Sequence, residues 1–474
     1  MKICLENLID RLGEWFPVFI ITPHDRTVGN TAEEIYYALL YARRKNKKLI
    51  IARRFSYGVF PLSNENIFEL ESPFIIRGPA GFVQWMTCAA ISLIYDPLPI
   101  LFAYIRKNTE SLIRYFLARA ICLVKRVQWT GGFNYFPLSS RATSNYQPEI
   151  GHNLLYNPRR RKTFDITDSA QVDWKAEFSK PIPVHVARSR RAECDRLRLE
   201  MGIADGAWHV CWHVREGGYY GDTDAPRNSD IRNSVAGMQA IVDAGGFVVR
   251  MGDASMTPLP AIPGVIDYPF TKYKSALMDL FLIDTCHFYV GSNSGILDVA
   301  HLFQKRCLLI NATEWTIGFP TRPGCLALLK HIYSRDEARF LSIEEILQQS
   351  FRVQDLHRYG ADSLFIENTP EEIRAGVLEM LEGNRENTAL QNEFIEAHHR
   401  QLISFMQEPL LWEPEWVDVR QKFRISARCL GNQGTLGRDF LEHNWAEDSL
   451  NRSYSRAELL DLNGRVQTTA RNQV

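Results

Sequence analysis

Between residues 208 and 312 short apolar runs alternate with amphipathic segments, and this alternation constrains the fold more than any other feature of the chain. The run WHVCWHV (208–214) leads to a helical pattern over 234–244, which Gly245 and Gly246 close with a left-handed cap. FVVRM (247–251), VIDY (265–268), a helical pattern over 274–285, HFYVG (287–291), the turn SNSG (292–295), the helical ILDVAHLF (296–303) and CLLIN (307–311) follow in order. Strands and helices alternating through short turns specify an α/β protein with a doubly wound parallel sheet, helices covering both faces. Such sheets bind ligands beyond the carboxyl ends of their strands.

The first of those ends carries His213 and Arg215, then a loop with glycines, tyrosines, Arg227 and the acids Glu216, Asp222, Asp224 and Asp230. An arginine there is permanently charged and can grip a phosphate through two parallel hydrogen bonds. It can equally pair with a neighbouring acid in a surface loop. Ser292, Asn293, Ser294 and Gly295 lie between a strand and a helix, so hydroxyls and backbone N–H groups surround a helix N-terminus, which attracts anions. The same residue types also cap helices without binding anything. Arg250, Met251, Gly252 and Asp253 end a third strand: Arg250 is expected to face the Arg215 loop, Gly252 to admit close backbone approach, and Asp253 to accept from a ribose hydroxyl or a base. His213, Arg215, Arg227, Asp230, Arg250, Gly252, Asp253 and the Ser292–Gly295 turn are therefore the candidate ligand-binding set, while Asp267 and Asp279 can equally be fold residues.

The front of the chain reads as a βαβ unit: an apolar run at 17–21, the loop TPHDRTVGN, the helical pattern TAEEIYYALLYARRK and a second strand at 48–52. Asn30 or Thr31 is expected to cap that helix. His24, Asp25 and Gly29 then stand at a strand's carboxyl end, on the acceptor side. Residues 81–105 are the most apolar window, broken by Asp96, Pro97 and Pro99, and neither half reaches the roughly 20 residues needed to span a bilayer. They read as a buried helical hairpin or as a segment lying in the membrane interface. A further amphipathic helix is expected over 111–124. Basic clusters at 43–48 and 157–162 are solvated surface or contacts to anionic lipid headgroups. The polar and aromatic stretch 128–180 ends a first domain of 1–180, a second spans 181–385, and 386–474 is a C-terminal helix, over 390–406, with a partly disordered tail. Within the second domain, Thr369, Pro370 and Glu372 spell a capping box.

At 474 residues, two domains with extensions are the natural organisation. The formal net charge of zero argues against a nucleic-acid partner, which requires a basic excess. Nine scattered cysteines, with no C-x-x-C pair, read as reduced thiols of a cytoplasmic protein without a zinc site or disulfide framework. Glu6, Asp10 and Glu14 interrupt the first residues where a secretory signal would be apolar.

His213-x-Arg215 followed by Glu-Gly-Gly-Tyr-Tyr, then 227–230, 250–253 and 291–295, together resemble a family of bacterial glycosyltransferases encoded with surface-polysaccharide genes. More distantly, the His-x-Arg element and the serine-rich turn look like those of GDP-fucose-dependent fucosyltransferases, whose arginine binds donor phosphate. Glu-Gly-Gly-Tyr-Tyr stands where those enzymes carry a second Arg and an Asp. The resemblance implies a GT-B-like architecture, two Rossmann-type domains facing across a cleft, with the nucleotide-sugar donor on the second domain and a glycan or polyprenyl-linked acceptor on the first. It further implies catalysis without a metal ion or cofactor, in a cytoplasmic protein that residues 81–105 and the basic clusters would bring to the inner face of the cell membrane. An inverting transfer then needs a base, for which Asp224, Asp222 and Glu216 are the loop candidates and Asp25 or His24 the candidates across the cleft. Two other readings fit the same sheet: a pyruvyl transferase, and a non-catalytic carbohydrate or membrane scaffold.

Overall fold

The computed structural model of the chain describes residues 18–21, 27–44, 46–51, 64–76, 156–157, 162–163, 173–219, 226–313, 315, 322–348, 363–383, 386–407, 431–455 and 458. The apolar window 81–105, the helix expected over 111–124, the candidates His24, Asp25, Asp222 and Asp224, most of the basic cluster 157–162 and the end of the tail lie outside the described residues.

The opening βαβ unit is present: strands β1 (Val18–Ile21) and β2 (Lys48–Ile51) pair in parallel on either side, in sequence, of helix α1 (Val28–Arg44). A parallel bridge from Leu49 to Ile75 extends this small sheet. The helix starts ahead of the cap expected at Asn30 or Thr31, because the Thr31 hydroxyl donates to the Thr27 carbonyl at 2.9 Å within the first turn. From the basic cluster at its end, Arg43 reaches Glu177 at 2.6 Å on helix α2 (Trp174–Ser179), and Lys48 donates to the Pro73 carbonyl. These two cations are thus engaged with the protein itself.

The larger sheet is built from β3 (His209–His213), β4 (Phe247–Arg250), β5 (Val265–Asp267), β6 (Tyr289–Gly291), β7 (Cys307–Ala312) and β8 (Leu326–Leu329). After a small antiparallel sheet of β9 (His331–Ser334), β10 (Arg339–Phe340) and β11 (Ser363–Ile366), the chain returns to it with β12 (Thr435–Leu436). Its seven strands run in the order β12-β8-β7-β6-β3-β4-β5, every neighbouring pair parallel. This is the α/β sheet that the alternating pattern specifies. β12 comes from a region whose sequence carries no strand period, since two residues are too few to show one.

Helices cover both faces. Helix α3 (Arg188–Glu200) is held through Arg191, which donates to Asp284 at 3.1 Å. Helix α4 (Val235–Asp243) lies over Trp212, and a Cβ at its Gly237 would come 2.8 Å from the indole ring. On the opposite face the His209 imidazole meets the Leu282 carbonyl of helix α5 (Ala276–Thr285) at 2.9 Å. All five residues of β3 are buried, as a strand covered on both sides must be. Helix α6 (Gly295–Leu302) packs along α1, which sets the opening βαβ unit against the larger sheet's own helix. Helix α7 (Ile343–Leu347) and helix α8 (Pro370–Leu381) both open with complete capping boxes, the second at Thr369 as its sequence spells. Helix α9 (Ala389–Gln407) covers the stretch expected over 390–406. Among the described residues no helix is long and apolar enough to cross a membrane.

Strands β3 to β5 step outward in one direction, and the chain then crosses back to lay β6 against the other side of β3. The strand order reverses between β3 and β6, so the crevice that doubly wound sheets use for ligands falls at the carboxyl ends of these two strands.

Candidate functional site

The ends of β3 and β6 are stitched together by hydrogen bonds. The Ser292 N–H donates to the His213 carbonyl at 3.0 Å, and the Arg215 N–H donates to the Ser292 hydroxyl at 2.8 Å. Gly291 makes this approach possible, since a Cβ there would lie 2.3 Å from the His213 carbonyl oxygen. The Ser294 hydroxyl lies 3.1 Å from His213 Nδ1. Burial, with the charge of Arg250 adding to it, pushes the His213 imidazole down to about 4, which leaves it neutral at pH 7. The Asn293 side-chain oxygen accepts from the Thr313 N–H at 3.3 Å, at the end of the next strand.

Neither Ser294 nor Asn293 therefore spends its side chain on capping. Helix α6 begins without a side-chain cap; its Leu297 N–H bonds the Ser294 carbonyl at 3.0 Å, Asp298 stands in its first turn, and its start carries the partial positive charge of a helix N-terminus. Directly against it lies the start of α1. A Cβ on Gly29 would come 2.4 Å from the Gly295 Cα, so the starts of α1 and α6 touch backbone to backbone. Gly29, placed on the acceptor side by the sequence, and Gly295, placed on the donor side, meet at one point.

Arg215 is buried, only 9% exposed, and its Nη1 donates to the Asn228 side-chain oxygen at 2.7 Å. The Ser229 N–H closes the loop onto the Arg215 carbonyl at 2.9 Å. Arg227, half-buried on the same loop, makes no hydrogen bond or ion pair among the described residues. His213, Arg215, Arg227, Ser292, Asn293, Ser294, Gly295 and Gly29 are thus gathered around one strand switch.

The remaining candidates are engaged elsewhere. Arg250 is fully buried and bonds Asp267 and Glu216, each at 2.8 Å, and the Thr257 carbonyl at 3.0 Å. The second oxygen of Glu216 accepts from the Thr257 N–H at 2.7 Å. Glu216 and Arg250 are therefore partners in an ion network that ties β4, β5 and the 214–219 segment together, with Asp267 the fold residue that the sequence suggests. Gly252, at φ +143°, faces Met256, whose sulfur occupies the space of a Cβ, and Asp253 accepts from the Ser255 N–H at 2.8 Å within the same turn. Asp230 caps the short 3-10 turn Ile231–Ser234 and pairs with Arg232, whose hydrogen bond holds its carboxyl below the ordinary range.

No family profile and no curated protein matches the sequence. Two solved structures are similar in part. One is the glycosyl transferase family 9 protein from Veillonella parvula DSM 2008, at 8% identity over 62% of this chain and 79% of that one, with a TM-score of 0.30. The other is the E. coli ADP-heptose lps heptosyltransferase II, at 14% identity over 62% of this chain and 83% of that one, with a TM-score of 0.29.

One residue of the neighbourhood is not among the sequence candidates. Lys330 directly follows β8 and donates from Nζ to the Asn228 carbonyl at 2.7 Å. A lysine set between the apolar runs LALL and HIY is the one signal that pointed to it.

Proposed function

We propose that this chain is a glycosyltransferase that takes a sugar from a nucleoside-diphosphate donor held at the β3–β6 switch. The observation that carries the reading is the junction itself, where Arg215 and Ser292 share a hydrogen bond and the uncapped start of α6 lies alongside. A leaving diphosphate develops negative charge as the glycosidic bond breaks, and groups fixed beforehand stabilise it most effectively. Arg215, Arg227 and the Ser292–Gly295 turn supply that charge and those donors in place of a divalent ion. The helix start contributes up to about 1–2 kcal/mol and each arginine hydrogen bond about 1.5–3 kcal/mol.

In this reading His213 stays neutral and orients Ser294. Asp224 is the general base, with Asp222 beside it, and a glycan or polyprenyl-linked acceptor enters from the Gly29 side at the inner face of the membrane. With Glu216 committed to Arg250, the base falls to the two aspartates. The test is a thermal-shift panel of GDP, UDP, CDP, ADP and CMP on the purified chain, because a ligand that binds only the folded state raises the melting temperature. One diphosphate is expected to stabilise the protein well above the others and above CMP. A panel with no shift at millimolar ligand overturns the reading.

A further inference from the structure

Lys330 is 4% exposed, and among the described residues its ammonium has one hydrogen-bond acceptor, the Asn228 carbonyl. An ammonium carries three N–H donors, and with one hydrogen-bond acceptor its burial is costly and lowers its pKa, a penalty that the negative charge of Glu367, beyond ion-pair distance, offsets only in part. Two hydroxyls, each on the residue next to one of its hydrogen-bond partners, are in a similar state. Ser229 Oγ adjoins Asn228, and Thr313 Oγ1 adjoins Ala312, whose carbonyl takes the Lys330 N–H at 2.8 Å. Both hydroxyls are buried and without a partner. Buried polar atoms are nearly always hydrogen-bonded, so three under-satisfied donors on adjoining segments mark a place built for something else. The positive charge and the hydroxyl donors specify an anionic, oxygen-rich ligand.

Asn228 links this cluster to the switch-point site. Its carbonyl oxygen accepts from Lys330 and its side-chain oxygen accepts from Arg215, each at 2.7 Å. One residue therefore sets the separation of two buried cations that follow strands β8 and β3, which have two strands between them in the sheet.

We infer that Lys330, Ser229 and Thr313 form a second phosphate subsite beside Arg215, so that the two cations take the two phosphates of one diphosphate and Asn228 is the residue that positions them. This rests on the proposed donor site and adds to it the group that meets the second phosphate.

The test is calorimetric titration of the full chain with inorganic pyrophosphate, for the wild type, K330M, S229A, T313V and R215A. K330M is expected to weaken pyrophosphate by about tenfold or more, and S229A and T313V by about two- to fivefold each. The hydroxyl variants are also expected to melt no lower than wild type, because each removes an unsatisfied buried group; lower affinity without lower stability is a signature that a purely structural role does not give. If K330M, S229A and T313V bind as wild type while R215A loses affinity, the second subsite is overturned and the donor site stands. If K330M does not fold, S229A and T313V decide, and unchanged affinity in both overturns the subsite. Wild-type protein that binds no pyrophosphate overturns it as well, and the nucleotide panel then judges the donor site separately.

Discussion

The backbone N–H of Arg215 and the hydroxyl of Ser292 meet at 2.8 Å across the ends of two neighbouring parallel strands, in a spot where Ser292 is wholly buried. The serine thus holds the peptide of the residue that carries the charge. Replacing Ser292 by Ala strips the acceptor from a buried N–H, which costs about 1–3 kcal/mol. Equilibrium denaturation is expected to register that loss, with weakened nucleotide affinity alongside it. A variant as stable as wild type contradicts this role for Ser292.

Glu216 and Arg250 give a sharper division between fold and chemistry. Arg250 has no exposed surface, and Glu216 and Asp267 neutralise it from two sides. Glu216→Ala leaves Arg250 its partner Asp267 but strips the acceptor from a buried guanidinium N–H and from the Thr257 N–H. It is therefore expected to lower unfolding free energy by about 1–3 kcal/mol. A Glu216→Ala protein with wild-type stability and no turnover would instead return Glu216 to the position of general base.

The parts of this arrangement differ in how far the sequence discloses them. The parallel sheet was legible because each strand from β3 to β7 is an apolar run bounded by turn residues, and the switch-point candidates Arg215 and Ser292–Gly295 followed from where those runs stop. Burial partners were not legible. Arg215 and Arg250 look alike in the sequence, both at a strand end near acids, yet one lies against Asn228 and the other is sealed between Glu216 and Asp267. Which carboxylate meets which arginine depends on the crossing of β4 and β5 against the 214–219 segment, and spacing along the chain does not encode it. Lys330 was hidden for a similar reason, since its neighbour Asn228 is 102 positions away. The meeting of Gly29 with Gly295 depends on how two helices dock, although each glycine alone was read as a site residue.

The pH profile of stability follows from five histidines, four of them buried and His301 half-buried. His331 lies between Asp448, 2.7 Å from Nδ1, and Glu372, 3.0 Å from Nε2. Burial lowers its pKa, but the hydrogen bonds and charges of both carboxylates outweigh that and raise it to about 9. A histidine with a raised folded pKa contributes stability fully below its unfolded value of about 6.5, and the contribution is lost as pH climbs toward the folded value. His209, His213, His301 and His398 act in the opposite sense: burial pushes each down to about 4, so their contribution is present above the unfolded value and is lost as pH falls toward the folded one. Denaturation across pH is expected to give a maximum near about pH 7, where the five unfolded histidines together hold as many protons as the one that His331 keeps in the fold, with losses on both sides. His331→Gln is expected to flatten the alkaline side. A wild-type profile that is already flat there contradicts the paired, protonated His331.

The most direct measurement is the affinity of Arg215→Ala for whichever nucleoside diphosphate stabilises the wild-type chain, taken by calorimetry on folded protein. Loss of at least about 1.5 kcal/mol of binding free energy, the low end for a hydrogen bond from a charged group, is the expected result. Unchanged affinity in a folded Arg215→Ala protein would contradict a donor diphosphate held at the ends of β3 and β6.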